Sequence, residues 1–189
     1  NVDDGSCVYP ISGCMDASAF NYNAVSNLDD GSCIWCQALD IPYGWSMFST
    51  YISPENMDLA SVLSPITDNT IIVKDNNGSP YVTEWAYNSI GEIVIGQAYQ
   101  IKVDAGVSLE ICGDYLAPED NPISLSSGWN LVAYLRTEPA LADAVFADII
   151  EDIVLVKDYL GSVYMPEMNF NGIGEMHPGK GYQVKTSNS

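Results

Sequence analysis

The sequence predicts a mainly β protein: two homologous small β-rich modules, each with one short helix, behind a short loop repeat rich in cysteine and aspartate. The first observation is an internal duplication. Gly128-Trp129 repeats Gly44-Trp45, Val156-Lys157-Asp158 repeats Val73-Lys74-Asp75, and Tyr182-Gln183-Val184-Lys185 repeats Tyr99-Gln100-Ile101-Lys102. Gly161, Tyr164, Asn171, Ile173-Gly174-Glu175 and Gly179 fall into the same order as Gly78, Tyr81, Asn88, Ile90-Gly91-Glu92 and Gly96. The offset is 84 at the tryptophan and 83 from Val-Lys-Asp onward, so one residue of slippage relates two copies of one fold. Second, both copies consist of short runs of β-branched and aromatic residues cut by Gly, Asn and Asp, the pattern of strands and turns. Third, Asn1 to Cys7 and Asn27 to Cys33 share the string Asn-x-Asp-Asp-Gly-Ser-Cys with a period of 26, so the chain is expected to begin inside a second, shorter repeat.

These repeats divide the chain into a Cys/Asp-rich segment (1–36, one partial and one complete copy), module 1 (37–113), a linker (114–127) and module 2 (128–189). Module 1 is expected to open with a strand from Trp45 to Ile52. A short amphipathic helix from Asn56 to Leu63 follows Pro54, with Met57, Leu59, Ala60 and Leu63 on one stripe. Thr70 to Lys74 and Pro80 to Thr83 form a hairpin around the turn signal Asp75-Asn76-Asn77-Gly78. Short strands are expected at Ile93 to Ile95, Ala98 to Val103 and Val107 to Cys112. Module 2 repeats the scheme with strands at Leu131 to Leu135, Ile153 to Lys157, Val163 to Met165 and Gly181 to Lys185. Its helix, Ala140 to Ile150, sets Leu141, Val145, Phe146, Ile149 and Ile150 on one side. It stops before a counterpart of Val107 to Cys112, so a cut there is expected. Pro118, Pro122 and Glu119-Asp120 mark a linker too short for the modules to tumble freely.

Composition excludes several functions. Six Lys+Arg against 25 Asp+Glu give a formal charge of −19, which repels nucleic acid and anionic lipid but suits divalent cations. A hydrophobic content of 47% speaks against a disordered acidic tail. No apolar run has the length of a membrane span, and no basic-then-apolar leader is present, as in an excised mature fragment. No nucleophile elbow, phosphate loop or zinc-protease helix occurs, and the one histidine, His177, is replaced by Val94 in the other copy, so no enzymatic activity is expected.

Gly13-Cys14-Met15-Asp16, Asn21-Tyr22-Asn23 and Asp29-Asp30-Gly31-Ser32-Cys33 resemble the short Gly-Cys…Asp-Asp-Gly-Ser-Cys repeats of large secreted surface proteins of Bacteroidetes-type bacteria, which are loosely similar to thrombospondin type 3 calcium repeats. Gly128-Trp129-Asn130-Leu131 and Pro178-Gly179-Lys180-Gly181-Tyr182 resemble the Gly-Trp-Asn-Leu…Gly-Lys-Gly-Tyr units of bacterial surface proteins; the first copy departs at Ser46-Met47 and Gln97-Ala98. The resemblance implies an extracellular, cell-surface, multidomain protein and β-rich accessory modules with no assigned chemistry. The array logic of such repeats pairs Cys14 with Cys33, puts the partner of Cys7 upstream of residue 1, and leaves Cys36 for Cys112. Other connectivities stay open, notably Cys33 with Cys36. A disulfide-closed repeat implies an oxidising compartment.

Asp16, Asn21, Asn23, Asp29 and Asp30 supply oxygen donors for a Ca²⁺ site; the competing reading makes them Asx turns closing a disulfide loop. Gly44, Gly78, Gly91 and Gly96, with their counterparts, are expected at turns needing positive φ. Trp45 and Trp129 are expected as core anchors. Lys74, Lys102, Lys157 and Lys185 are expected to pair with carboxylates across the sheet. Trp35 and Trp85 are candidates for stacking on a glycan, with Tyr87 and Tyr115 beside them, although module 2 has Met168 and Phe170 where module 1 has Trp85 and Tyr87. The function expected is that of a structural spacer of a long adhesin, stalk or filament protein, stiffened by disulfides and Ca²⁺. It would partner neighbouring repeats or copies of itself in fibres. A carbohydrate-binding adhesin module and a virion fibre component are the alternatives.

Overall fold

The computed structural model describes residues 9–188, so Asp3, Asp4 and Cys7 of the partial repeat lie outside the described residues. In the complete repeat, β1 (Ser12–Gly13) and β2 (Leu28–Asp29) pair in parallel, and Cys14 is bonded to Cys33. Cys14 and Ala19 are its buried apolar side chains, so the disulfide stands where a larger domain would have a core.

Module 1 contains β3 (Trp35–Ile41), β4 (Gly44–Phe48), β5 (Ile52–Ser53), α1 (Leu59–Val62), β6 (Thr70–Lys74), β7 (Pro80–Val82), β8 (Tyr87–Asn88), β9 (Tyr99–Val103) and β10 (Val107–Tyr115). Module 2 contains β11 (Gly128–Ala133), β12 (Ala140–Leu141), α2 (Ala142–Val145), β13 (Ile153–Lys157), β14 (Val163–Met165), β15 (Phe170–Asn171), β16 (Glu175–Met176) and β17 (Gly181–Thr186). The five-stranded sheets have the same order, β4-β9-β6-β7-β8 and β11-β17-β13-β14-β15. Their register agrees down to one irregularity, between Thr70 and Ile72 in one copy and between Ile153 and Leu155 in the other.

The repeated residues explain the agreement. Val73 faces Ile101 across the first sheet and Val156 faces Val184 across the second, all four fully buried, because alternate strand residues point to the core. Tyr99 and Tyr182 are buried with a hydroxyl that accepts a loop amide, from Val94 N–H at 2.7 Å and His177 N–H at 2.8 Å. Asp75 and Asp158 accept the Ser79 and Ser162 amides, closing the same hairpin turn twice. The eight paired glycines all adopt positive φ, from 72° at Gly174 to 96° at Gly128.

Several elements differ from expectation for local reasons. The strand Trp45 to Ile52 is broken after Phe48, where Ser49 turns into module 2, and Ile52 joins a second sheet, β3-β10-β5. That sheet begins at Trp35, in residues with no expected strand, and its side chains Leu39, Ile41, Leu109 and Ile111 cover the inner face of the first. Cys36 and Cys112 face each other on β3 and β10 and are bonded. Two residues assigned to the linker, Asp114 and Tyr115, finish β10.

The helices are shorter than their stripes. Met57 and Asp58 bond to Ile93 and Glu92, so α1 waits for the Asp58 side chain to cap the Ser61 amide. Pro65 then starts a 3₁₀ turn, Ser64–Asn69. Ala140 and Leu141 pair with β16, and the expected helix tightens after Val145 into the 3₁₀ segment Ala147–Asp152, leaving Leu141, Ile149 and Ile150 exposed. Ile93 to Ile95 form a loop rather than a strand.

Candidate functional site at the junction of the modules

The modules meet through strand ends. Phe48 bridges Lys180 and Gln97 bridges Val132, and these are the same two repeat positions with the modules exchanged. The Ser49 amide donates to the Gly179 carbonyl at 3.0 Å, and its counterpart, the Ala133 amide, donates to the Gly96 carbonyl at 2.9 Å. The junction is therefore an internal pseudo-twofold interface, with one surface used on both partners. Met47, Ala98 and Leu131 are buried at it, with Tyr159 against them. Gly181 permits the approach, since a Cβ there would stand 2.6 Å from that of Ala98. Ser49, 1% exposed, donates its hydroxyl to the Lys180 carbonyl at 2.7 Å and accepts the Tyr134 amide at 3.2 Å.

The same alternation that buries Val73, Ile101, Val156 and Val184 turns Lys74, Gln100, Lys102, Lys157, Gln183 and Lys185 outward. Trp45 and Trp129 are on these outer faces, 46% and 51% exposed, which corrects their expected place in the core. Their neighbours are lysines: Lys74 and Lys102 stand 5.5 and 6.0 Å from the Trp45 ring centre, and Lys185 stands 5.9 Å from that of Trp129. The expected lysine–carboxylate pairs are corrected as well. Trp45 and Lys102 are direct register partners, so the cross-strand partner is aromatic, and among the described residues no ion pair within 4.0 Å ties these lysines to an acid.

Where the outer faces converge lies a cleft of about 320 Å³ lined by Trp45, Met47, Lys74 and Gln100 of module 1 and Lys157, Asp158, Tyr159 and Gln183 of module 2. Lys74 with Lys157, and Gln100 with Gln183, are equivalent positions meeting across the pseudo-dyad. Lys180, 5.8 Å from the Tyr159 ring, lies outside this cleft and donates to the Asp40 carbonyl at 3.2 Å. Sequence reading assigned these residues to the fold alone. The signal for four of them is that Lys74 and Lys157, and Gln100 and Gln183, recur in both copies at positions where the core does not need them.

The expected calcium residues are engaged locally. Asp16 accepts the Ser18 hydroxyl and amide at 2.6 and 2.8 Å, and Asp30 accepts the Ser32 amide at 3.1 Å; the Ser18 and Ser32 side chains first, and their amides next, hold both carboxyls below the ordinary 3.8. Asp29, Asn21 and Asn23 accept the amides of Gly31, Ile34 and Val25. Among the described residues the one trio of acid, Cys or His donors within 4.8 Å is Cys36, Glu110 and Cys112, whose two sulfurs are bonded to each other, which leaves one carboxylate. Burial pushes the Tyr182 phenol up to about 12, against the hydrogen bond from His177 N–H, and raises that of Tyr99.

The two glycan candidates are not alike. Trp35 packs on the module 1 core 6.3 Å from Tyr115, and its indole donates to Ser18 at 3.3 Å, tying the repeat to β3. Trp85 is 72% exposed in a turn before β8, with Tyr87 exposed beside it.

Comparison with family models, with curated proteins and with solved structures finds no match to the chain. The class defined by fold and junction is thus a two-module β protein with a disulfide-stapled N-terminal repeat. Its two disulfides call for an oxidising compartment, and among the described residues no helix is long and apolar enough to cross a membrane.

Proposed function

We propose that the chain is a secreted, cell-surface structural segment, a rigid spacer of a long adhesin, stalk or filament protein. The pseudo-twofold junction carries this reading. Two strand bridges, two dyad-related backbone bonds and a buried Ser49 fix the angle between the modules, and a spacer needs that fixed angle. The staple Cys14–Cys33 and the Trp35–Ser18 contact extend the rigidity into the repeat. Ca²⁺ held by Asp16, Asn21, Asn23, Asp29 and Asp30 would stiffen it further. Small-angle scattering in Ca²⁺ and in EDTA is expected to fit one particle shape. Curves requiring several inter-module angles would overturn the reading. Sedimentation of the same samples tests self-assembly, and calorimetric titration with Ca²⁺ tests the ion site, where no heat up to millimolar Ca²⁺ excludes it.

One observation favours a second reading, a carbohydrate-binding adhesin module. Trp85 and Tyr87 stay exposed side by side although a fold has little reason to show two aromatics to water. Binding to a glycan array that disappears with Trp85→Ala is expected from it; an array without signal removes it.

A further inference from the structure

We propose that the cleft on the pseudo-dyad is a binding site for an acidic saccharide, an oligomer of uronic acid units whose carboxylates meet Lys74 and Lys157. This goes beyond the spacer reading and involves a different surface from Trp85. Of the chain's six cations, Lys74 and Lys157 line this cleft and a third, Lys102, stands 6.0 Å from the Trp45 ring on its wall. In a molecule of formal charge −19, that concentration makes the cleft the place where an anion is least repelled. Asp158 also lines it, its carboxylate turned to the Ser162 amide at 2.8 Å in the hairpin turn that Asp75 closes in module 1, so the lining sets two lysines against one acid.

The remaining lining fits a sugar. Trp45, 46% exposed, offers an aromatic surface, and Gln100 and Gln183 offer amides that both donate and accept, as hydroxyls require. A volume of about 320 Å³ admits one or two pyranose rings. Two lysines related by the pseudo-dyad call for two anionic groups, so a disaccharide or longer is the matching ligand. An acidic peptide fits less well. The Trp45 ring and the paired amides match a pyranose face and its hydroxyls better than a run of carboxylate side chains, and the peptide in the titration below tests the end strand β4 as a main-chain ladder.

The inference depends on the outward residues shared by both copies. Val73, Tyr99 and their counterparts recur because the core needs them, whereas Lys74, Gln100, Lys157 and Gln183 recur with partly exposed side chains. Retention of unburied polar side chains at matched positions is what a ligand spanning both modules would produce.

The test is calorimetric titration of the intact chain with a hexuronate tetrasaccharide, its neutral hexose counterpart and an Asp-rich peptide, beside amide and indole NMR of the same samples. The tetrasaccharide is expected to bind and to shift the Trp45 indole signal. Lys74→Gln and Lys157→Gln should each weaken binding about tenfold, the worth of one charge-assisted contact, with the melting temperature unchanged. Trp85→Ala should leave this binding intact, which separates the site from the adhesin reading. Binding of the peptide but not the sugar, equal binding of the neutral sugar, or a titration to 10 mM without movement of Trp45 on the order of detection each overturns the proposal.

Discussion

Module 1 and module 2 share a five-stranded sheet, its bulge and its turns, yet they cover the inner face of that sheet by different means. In module 1 the cover is a second sheet, β3-β10-β5, which adds Leu39, Ile41, Leu109 and Ile111 to the core and is locked by Cys36–Cys112. In module 2 the cover is the linker, whose Ile123 and Leu125 pack on the core beside Ile173. A single substitution in the repeat serves this difference. Asn130 stands where module 1 has Ser46, and its buried amide accepts the Ser126 N–H at 2.9 Å and donates to the Ser126 carbonyl at 2.8 Å, clasping the linker. The duplicated sequence thus encodes the sheet and the junction, while the flanking, unrepeated sequence encodes the cover. Module 1 stands to lose most from the loss of its cover, because its cover is also its covalent staple.

The largest expected effect follows. Replacing Cys36 and Cys112 by serine frees a loop with a separation of 76 residues and should cost about 4 kcal/mol through the unfolded chain. Denaturant unfolding followed by NMR signals from both modules should then show module 1 melting before module 2. Loss of both together at an unchanged midpoint would mean that the staple contributes nothing. Next comes the junction. Gly181→Val forces a Cβ against Ala98 and Met47, at 2.6 and 3.1 Å in the present backbone, and should cost about 1–3 kcal/mol by overpacking. Its expected signature is one cooperative transition becoming two, since the modules would no longer hold each other.

The twin topology was legible because an internal repeat compares the chain with itself: any residue kept at both Val73 and Val156, or at both Gly78 and Gly161, is a constraint of one fold written twice. The Cys14–Cys33 pair was legible from the repeats that the segment resembles and Cys36–Cys112 only as the remainder, so geometry was needed to discard Cys33–Cys36. The cover was legible only in part: Val107 to Cys112 is a strand expected from its own residues, whereas β3 has no second copy to reveal it. Trp45 was misread since tryptophan in a strand is usually buried, and only the alternation with Ser46 and Phe48 assigns it to the outer face. The cleft could not be read at all, as it depends on which ends of the two sheets meet.

Smaller effects sharpen the equivalence of the modules. Tyr99→Phe and Tyr182→Phe each strip a part-buried loop amide of its acceptor, so both should cost about 0.5–1.5 kcal/mol and by similar amounts. A cost confined to one would show that the two loops bear unequal load. The same phenols set an alkaline limit. Tyr182 titrates near 10 in the unfolded chain and at about 12 when folded, so its contribution is complete below pH 10 and is lost as the pH rises toward 12. Unfolding followed by tyrosinate absorbance should therefore begin in that window, and Tyr182→Phe should move its onset upward.

The smallest effect belongs to the repeat, which lacks a core to amplify it. Asp16 and Asp30 head the same Asp-x-Ser turn, and their carboxyls are depressed by hydrogen bonds from Ser18 and Ser32 respectively. A folded pKa below the unfolded 3.8 contributes stability that is present above that value and is lost as the pH falls through the folded one. Carboxyl NMR should place both midpoints below 3.8, and Ser18→Ala, which removes the hydroxyl but keeps the amide, should raise the Asp16 midpoint while leaving Asp30 in place. Because the Trp35 indole also donates to the Ser18 hydroxyl, that one substitution should loosen the repeat from β3, read as a change in Trp35 fluorescence with the module sheets untouched. An Asp16 that titrates at its ordinary value before the substitution would mean that the turn is open in solution, and the rigidity claimed for the segment would then begin at β3 rather than in the repeat.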